Sequence, residues 1–260
     1  MKNLVDSHCH LQFLPSSCIP ESLLTLSHLI CNSTSQSDWQ QVLSLSSPQI
    51  TSCIGLHPWY LLSATPDWEE QMRELIHLPN IHVGEIGIDN YKAKTIPKVL
   101  QDTFFTKQLL IAKEFNKVAN IHCVSAFGRL IKILKQVDPK GEIKILLHSW
   151  EGPWDCTESI LKAYGNNVVF SMSMVSLARN KGRKVAERLP CENIVIETDS
   201  PSQSVLEFVE NEPGIEIENG KVINKPWYLK TVFKRLGELK MIDEAELSEV
   251  LMNNYLRFFG

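Results

Sequence analysis

Short apolar runs alternate with longer segments of helical periodicity along the 260 residues. The runs predict strands at residues 3–7, 28–33, 50–55, 81–86, 118–123, 143–148, 167–172 and 193–198. Each is a brief aliphatic stretch bounded by polar or turn-forming residues, the pattern of strands buried on both faces. Between them the spacing turns helical. Thr65-Pro66-Asp67 offers an N-cap, a proline for the first helical position and an acid for the first turn, and Trp68, Met72, Leu75 and Ile76 then share one face. Further helices are expected over 97–115, 126–137, 155–164, 176–189, 226–238 and 243–258. Eight alternating strands and helices over such a length give an α/β chain, a TIM-type (β/α)8 barrel forming one domain over residues 1–260. A doubly wound open sheet would use the same alternation. The irregular stretch is 201–225, where Asn219-Gly220 can turn a small hairpin. In a barrel, a loop that long after the last strand belongs beside the active rim.

Composition narrows the setting. Hydrophobic and charged contents of 43% and 22% are those of a soluble globular protein. A formal charge of -4 argues against a general basic coat for nucleic acid, but not against a nucleic-acid substrate held at a local metal site. The seven cysteines are odd in number and lack CxxC spacing, so free thiols in a reducing compartment are expected. Met1-Lys2-Asn3 runs straight into the first strand, which leaves no room for a signal peptide, and no apolar run approaches the ~18 residues of a membrane span. The expected setting is cytoplasmic, with no membrane partner. Oligomeric state is left open.

The chemistry lies at the strand ends. His8 and His10 close the first strand, two apart, so an extended chain turns both to one face. Glu85 closes the fourth, His122 the fifth, His148 the sixth and Asp199 the eighth. Parallel barrel strands all end at one rim, so these six side chains converge. Four imidazoles and two carboxylates suffice for two divalent ions sharing a bridging ligand. Glu85 and Asp199 against two such ions leave a net +2, a centre that attracts anions. His57, after the third strand, is a candidate for substrate phosphate or a turn residue satisfied by backbone. His28, His77 and His82 are read as structural or surface residues.

Taken in order, these strings resemble the TatD family of metal-dependent deoxyribonucleases, among the amidohydrolase-like barrels. The matching segments are Asp6-Ser-His8-Cys-His10-Leu11, Gly55-Leu-His57-Pro58, Gly84-Glu85-Ile-Gly-Ile-Asp89, Gln101-x3-Phe105-x2-Gln108-Leu109-x2-Ala112, Ile121-His122, His148-x3-Gly152, Glu197-Thr-Asp199-Ser-Pro201 and the closing Asn254-to-Gly260 helix. The resemblance implies a TIM-type barrel and phosphodiester hydrolysis, often of DNA from the 3′ end. It implies that His8, His10 and Asp199 hold one metal and His122 and His148 the other, with Glu85 as the bridge. Mg2+ is the family's usual activator, while imidazole ligation also suits Zn2+ or Mn2+. The chain departs from the family on the substrate side. Val124 stands where an Arg is common, Ser171-Met172-Ser173 replaces Ser-Gly, and an acidic segment ending in Asn224-Lys225-Pro226 replaces a basic one. The acids Glu207, Glu210, Glu212, Glu216 and Glu218 would repel a long polyanion unless that loop points away.

The expected function is a metal-dependent phosphodiesterase or deoxyribonuclease, 3′-5′ exonuclease-like, acting on single-stranded or frayed DNA ends. A metal-activated water attacks, with Asp199 as proton acceptor and Glu85 as the second catalytic carboxylate. Glu197 or Asp89 would orient ligands from behind. Arg179, Lys181, Arg183 and Lys184 either steer phosphate or form a solvated helix face. The rivals are hydrolysis of a small ester, amide or phosphodiester at the same site, and a non-catalytic binding barrel.

Overall fold

The eight apolar runs pair side by side in chain order, each parallel to the last, in a computed structural model that describes residues 4–212, 215–218 and 220–260. The strands are β1 (Val5–Cys9), β2 (His28–Asn32), β3 (Ile50–Ile54), β4 (Ile81–Asp89), β5 (Ala119–Val124), β6 (Ile145–Leu147), β7 (Val168–Met172) and β8 (Ile194–Ile196). The helices between them are α1 (Cys18–Thr25), α2 (Trp39–Ser44), α3 (Trp68–Ile76), α4 (Lys98–Glu114), α5 (Phe127–Val137), α6 (Trp154–Tyr164), α7 (Met174–Ala178) and α8 (Asn180–Arg188). After β8 come α9 (Leu206–Val209), a two-stranded ribbon of β9 (Ile217–Glu218) and β10 (Lys221–Val222), α10 (Leu229–Lys240) and α11 (Glu244–Phe259). The seam between β8 and β1 closes just past β8. There the Asp199 amide donates to His8 O at 2.9 Å and the His10 amide donates to Ser200 O at 2.8 Å. Sequential strand order and a closed seam make this the (β/α)8 barrel and set aside the open sheet.

Alternation along the strands explains which side chains enter the barrel. In β6 to β8, Ile145, Leu147, Val168, Phe170, Met172, Ile194 and Ile196 pack outward against the helices, whereas Leu146, Val169 and Val195 form a separate inner cluster with Val118 and Phe258. By the same period His148 follows Leu146 inward, Glu197 follows Val195, and Asn120 and His122 lie opposite the outward Ala119 and Ile121. Phe258 and Phe259, from α11, cover the lower end of this inner cluster.

Two bulges break the alternation where it matters. In β4, Val83 pairs with Ala119 and Ile86 with Ile121, so β4 holds one residue more than β5. The outward set changes from Ile81 and Val83 to Ile86 and Ile88, and the extra residue turns Glu85 inward. In β1, Asp6 pairs with Leu29 and Cys9 with Cys31, so Ser7 and His8 together face one residue of β2. Both enter the barrel, while Asp6 stays outside and staples the seam by accepting from the Thr198 amide at 2.9 Å. Burial pushes the Asp6 carboxyl up to about 8 against the lowering effect of Thr198.

Several expected boundaries need correction. β4 runs on to Asp89, so Glu85 lies within the strand and not at its end; His122 likewise lies two residues short of the end of β5. β6 and β8 are shorter than expected and leave His148 and Asp199 just beyond them. The helix expected over 176–189 is two, because Arg179 is extended at φ -89 and ψ 138. Helices α1 and α2 had no periodic signal, being eight and six residues long. The ribbon forms where the hairpin was expected, although Asn219 lies outside the described residues. Among the described residues, no helix is long and apolar enough to cross a membrane.

Candidate metal centre

His8, His10, Glu85, His122, His148 and Asp199 meet at the C-terminal mouth of the barrel, each buried to 8% exposure or less. Glu85 is central. Its Oε2 lies 3.5 Å from His8 Nε2 and 3.3 Å from His10 Nε2. Its Oε1 lies 3.0 Å from both His122 Nδ1 and His148 Nε2. Asp199 Oδ1 joins the first group, 3.4 Å from His8 Nε2 and 3.2 Å from His10 Nε2, and the two imidazole nitrogens are 3.3 Å apart. Ligand atoms about 2.1 Å from one ion are roughly 3.4 Å apart at the tetrahedral angle. The two imidazole nitrogens therefore stand from each other, and from each of the two carboxylate oxygens, at the spacing of ligands that share one ion.

Hydrogen bonds behind the rings fix which nitrogen is free. His10 Nδ1 donates to Asn32 O at 2.8 Å, His8 Nδ1 to Asn120 Oδ1 at 3.0 Å, and His148 Nδ1 to Glu197 Oε1 at 3.3 Å. Each leaves an Nε2 lone pair aimed inward. His122 is reversed: Nε2 donates to Asp89 Oδ2 at 3.3 Å, so Nδ1 faces Glu85. Glu197 is held in turn by the Ser149 amide at 2.7 Å. Trp59 Nε1 donates to Asp89 at 2.6 Å, and its bond and that from His122 outweigh burial to bring the Asp89 carboxyl down to about 2.

His57 also enters the cluster, with Nε2 3.4 Å from Glu85 Oε1. By distance it could be a further ligand beside Glu85 and His122. Its tautomer says otherwise. His57 Nδ1 accepts the Trp59 amide at 3.2 Å, so the neutral ring carries its proton on Nε2. Metal at Nε2 would move that proton to Nδ1, facing the Trp59 N–H. Burial drives the His57 pKa down to about 3, so the ring is a neutral donor.

Electrostatics favour a cation at the centre. Burial alone would neutralise Glu85, but the surrounding imidazoles hold its carboxyl well below the usual range. Burial likewise opposes protonation of His10 and His148, yet the carboxylates Asp199, Glu85 and Glu197 lift both well above an ordinary imidazole. The cluster thus draws positive charge, and a divalent ion would displace protons on binding.

The scaffold explains motifs that carry no ligand. Gln101 of α4 accepts the Asp89 amide at 2.8 Å and donates to Asp89 O at 3.0 Å. Seven residues on, Gln108 grips Leu56 in the same way at 2.7 and 3.2 Å. One helix face thereby positions the end of β4 at Asp89 and the loop bearing His57. Gly84 permits the β4 bulge, since a Cβ there would lie 2.6 Å from Asn32 Oδ1 and 2.7 Å from Asn120 Cβ. Gly87, at φ +145, lets the backbone pass His122, whose carbonyl would be 1.9 Å from a Cβ.

Asn120 and the backbone carbonyl of Asn32 belong to the site without being among the candidates in the sequence. Asn120 had a signal, two residues before His122 on the same face; a carbonyl contact has none. The run Arg179, Lys181, Arg183 and Lys184 is exposed; Arg179 pairs with Glu151 at 3.2 Å, and the solvated-face alternative fits all four. In the acidic segment Glu212 pairs with Lys230 at 2.6 Å, Glu216 with Lys225 at 2.8 Å and Glu207 with Arg235 at 3.4 Å, which offsets part of its charge.

The chain is similar to several known proteins. The family model described as TatD related DNase matches residues 5–260. The human deoxyribonuclease TATDN3 is 25% identical over 98% of this chain and 94% of its own length. The human 3′-5′ RNA nuclease TATDN2 is 27% identical over 77% of this chain, which corresponds to only 28% of that longer protein. The Escherichia coli protein YjjV, described as a metal-dependent hydrolase, is 25% identical over 98% of this chain and 97% of its own. Its crystal structure superposes with a TM-score of 0.85 at 23% identity, covering 99% and 98% of the two chains.

Proposed function

Because the chain belongs to the family of TatD-related DNases, we propose that it hydrolyses phosphodiester bonds at the ends of single-stranded or frayed DNA, releasing nucleotides in the 3′-5′ direction. It is a metal-dependent hydrolase. The observation that carries the reading is the division of Glu85, whose two oxygens face two separate groups of donors. His8, His10 and Asp199 would hold one divalent ion, His122 and His148 the other, with Glu85 as the bridge. The donor set suits Zn2+ or Mn2+ as well as Mg2+. When bound, such ions supply an acidified water and polarise the phosphate.

The chain's own groups do the rest. Asp199 accepts the proton of the attacking water, in a shell where His8 and His10 keep it ionised against the effect of burial. Glu85 sets the distance between the two ligand groups. Glu197 and Asp89 hold His148 and His122 in the tautomers that face inward. His57 presents Nε2–H to a phosphate oxygen, a neutral donor that burial protects from titration. With Asp89 and Glu197 counted beside Glu85 and Asp199, four carboxylates balance two divalent ions, so the centre is less positive than its ligands alone suggest. Recognition of a polyanion then rests on groups around the mouth. Seven unpaired cysteines support a reducing, cytoplasmic setting, and the family match supports one domain over the chain.

Elemental analysis of purified protein, joined to assays on 5′-labelled DNA and RNA oligonucleotides with Mg2+, Mn2+ or Zn2+, tests this. Two ions per chain and stepwise shortening of single-stranded DNA are expected. Bound metal with turnover of small esters but of no oligonucleotide would move the assignment to a small-molecule hydrolase.

A further inference from the structure

Aromatic rings form a continuous row across the barrel mouth. From Phe13 the centroid separations run 5.9 Å to His10, 5.0 Å to His8, 4.2 Å to His148, 5.3 Å to His122 and 4.4 Å to His57. The row ends on Trp59, 5.3 Å from His57, and Tyr60, 6.1 Å from it. The histidines within the row are buried, whereas Phe13, Trp59 and Tyr60 are 51%, 45% and 42% exposed. Large exposed apolar rings therefore stand at both ends of the ligand cluster. They come from different loops, after β1 and after β3.

The packing of these rings is uneven. Trp59 is anchored by its bond to Asp89, and the Lys92 ammonium sits 4.4 Å from its ring centroid. Lys92 and the exposed Lys94 lie in the turn after β4, a cationic edge beside the aromatic one. Exposed rings beside lysines suit a ligand that is flat and apolar on its faces and anionic along its chain. That is the chemistry of unpaired nucleobases on a phosphate backbone. A phosphodiester held at the metal cluster carries one nucleoside on each side, and the row offers a ring to each.

We propose that Phe13 on one side, and Trp59 with Tyr60 on the other, stack the two nucleobases that flank the scissile phosphate. This rests on the nuclease reading and deepens it. Stacking needs bases freed from a duplex, so the platform selects single-stranded or frayed ends. Every base has a π-face, so it selects with little regard to sequence. Phe13 and Tyr60 are positioning residues. Trp59 also steadies Asp89, so Phe13 gives the cleaner test.

The test uses metal-loaded enzyme and two oligodeoxynucleotides, one ordinary and one lacking the two bases that flank the cleaved bond. Phe13→Ala should raise KM on the ordinary strand by about tenfold, the effect of one lost stacking contact. Wild type and Phe13→Ala should share one KM on the abasic strand. Phe13→Trp, which keeps a π-face, should restore KM on the ordinary strand where Phe13→Leu does not. An equal penalty for Phe13→Ala on both strands, or a wild-type KM indifferent to the missing bases, overturns the platform while leaving the nuclease reading intact. Failure of wild type to cut either strand with any divalent metal overturns both.

Discussion

At the C-terminal mouth of the barrel, five histidines crowd around Glu85 and Asp199; at the opposite end His28 and His82 rest among aromatic rings. Both sets are largely shielded from water. His82 Nδ1 accepts the Val118 amide at 3.1 Å and its ring meets Phe259 at 5.0 Å. His28 Nε2 meets Thr51 Oγ1 at 2.9 Å and packs beside Tyr255. Burial acts on both ends alike, by disfavouring the charged ring. At the mouth, carboxylates outweigh it and lift His10 and His148 well above the usual value. At the base nothing opposes burial, which drives His28 down to about 4 and His82, aided by Lys117 and Lys144, to about 3. The same side chain thus serves as a collector of positive charge at one end and as an apolar filler at the other. The balance of partner against burial decides: His57, beside the same Glu85, stays neutral because there burial outweighs the carboxylate.

The sharpest way to break this contrast is at Asp199. Asp199→Asn keeps the shape and removes the proton acceptor and one ligand charge. A fall in kcat of about 10²–10⁴-fold is expected, with weaker metal retention by elemental analysis. Undiminished hydrolysis would remove Asp199 from the mechanism. The corresponding change at the base is Phe258→Ala, which opens the inner apolar cluster. It should cost about 3–5 kcal/mol in denaturant unfolding while the folded fraction keeps its turnover. Loss of turnover in the folded fraction would mean that the two ends are not independent. Between these lies Glu197→Gln, which can still contact His148 but no longer fixes its tautomer by charge. Metal affinity or activity should fall by about 10- to 100-fold. No change would show that His148 is oriented by packing alone.

The two ends also differ in how readily the sequence announces them. The mouth was legible because its chemistry follows the strand period: His148 and Glu197 continue the inward positions of Leu146 and Val195, and His122 repeats Asn120. Glu85 was found as a residue type near a strand end but its route inward was not, because a bulge is a pairing property. It shows only when β4 is set against β5, where Val83 and Ile86 span Ala119 to Ile121. The sequence leaves His57 between two roles for a related reason. Its tautomer depends on the Trp59 amide, and backbone donors have no letter in a sequence. The base was less legible. Nothing near His82 in sequence points to Phe259, which arrives from the last helix 177 residues later. Short helices such as α2 were invisible because six residues span fewer than two turns and cannot establish a period.

The smallest effect is also the most direct reading of the contrast, and it concerns His82. Its pKa is about 3 in the folded protein and near the ordinary 6.5 when unfolded. Between those values the unfolded chain binds the extra proton, so His82 supports the fold fully above about pH 6.5 and progressively less as pH falls towards 3. At pH 5 the loss is about 1–2 kcal/mol after allowing for its partial exposure. His82→Gln can still accept the Val118 amide through its side-chain oxygen but does not titrate. Unfolding curves at pH 7 and pH 5 should therefore converge for the variant by that amount relative to wild type. Added salt should shrink the difference only slightly, since burial outweighs the repulsion from Lys117 and Lys144. If wild type and variant lose stability equally over that range, the ring at the base is not held neutral by burial, and the two ends of the barrel would differ in degree and not in kind.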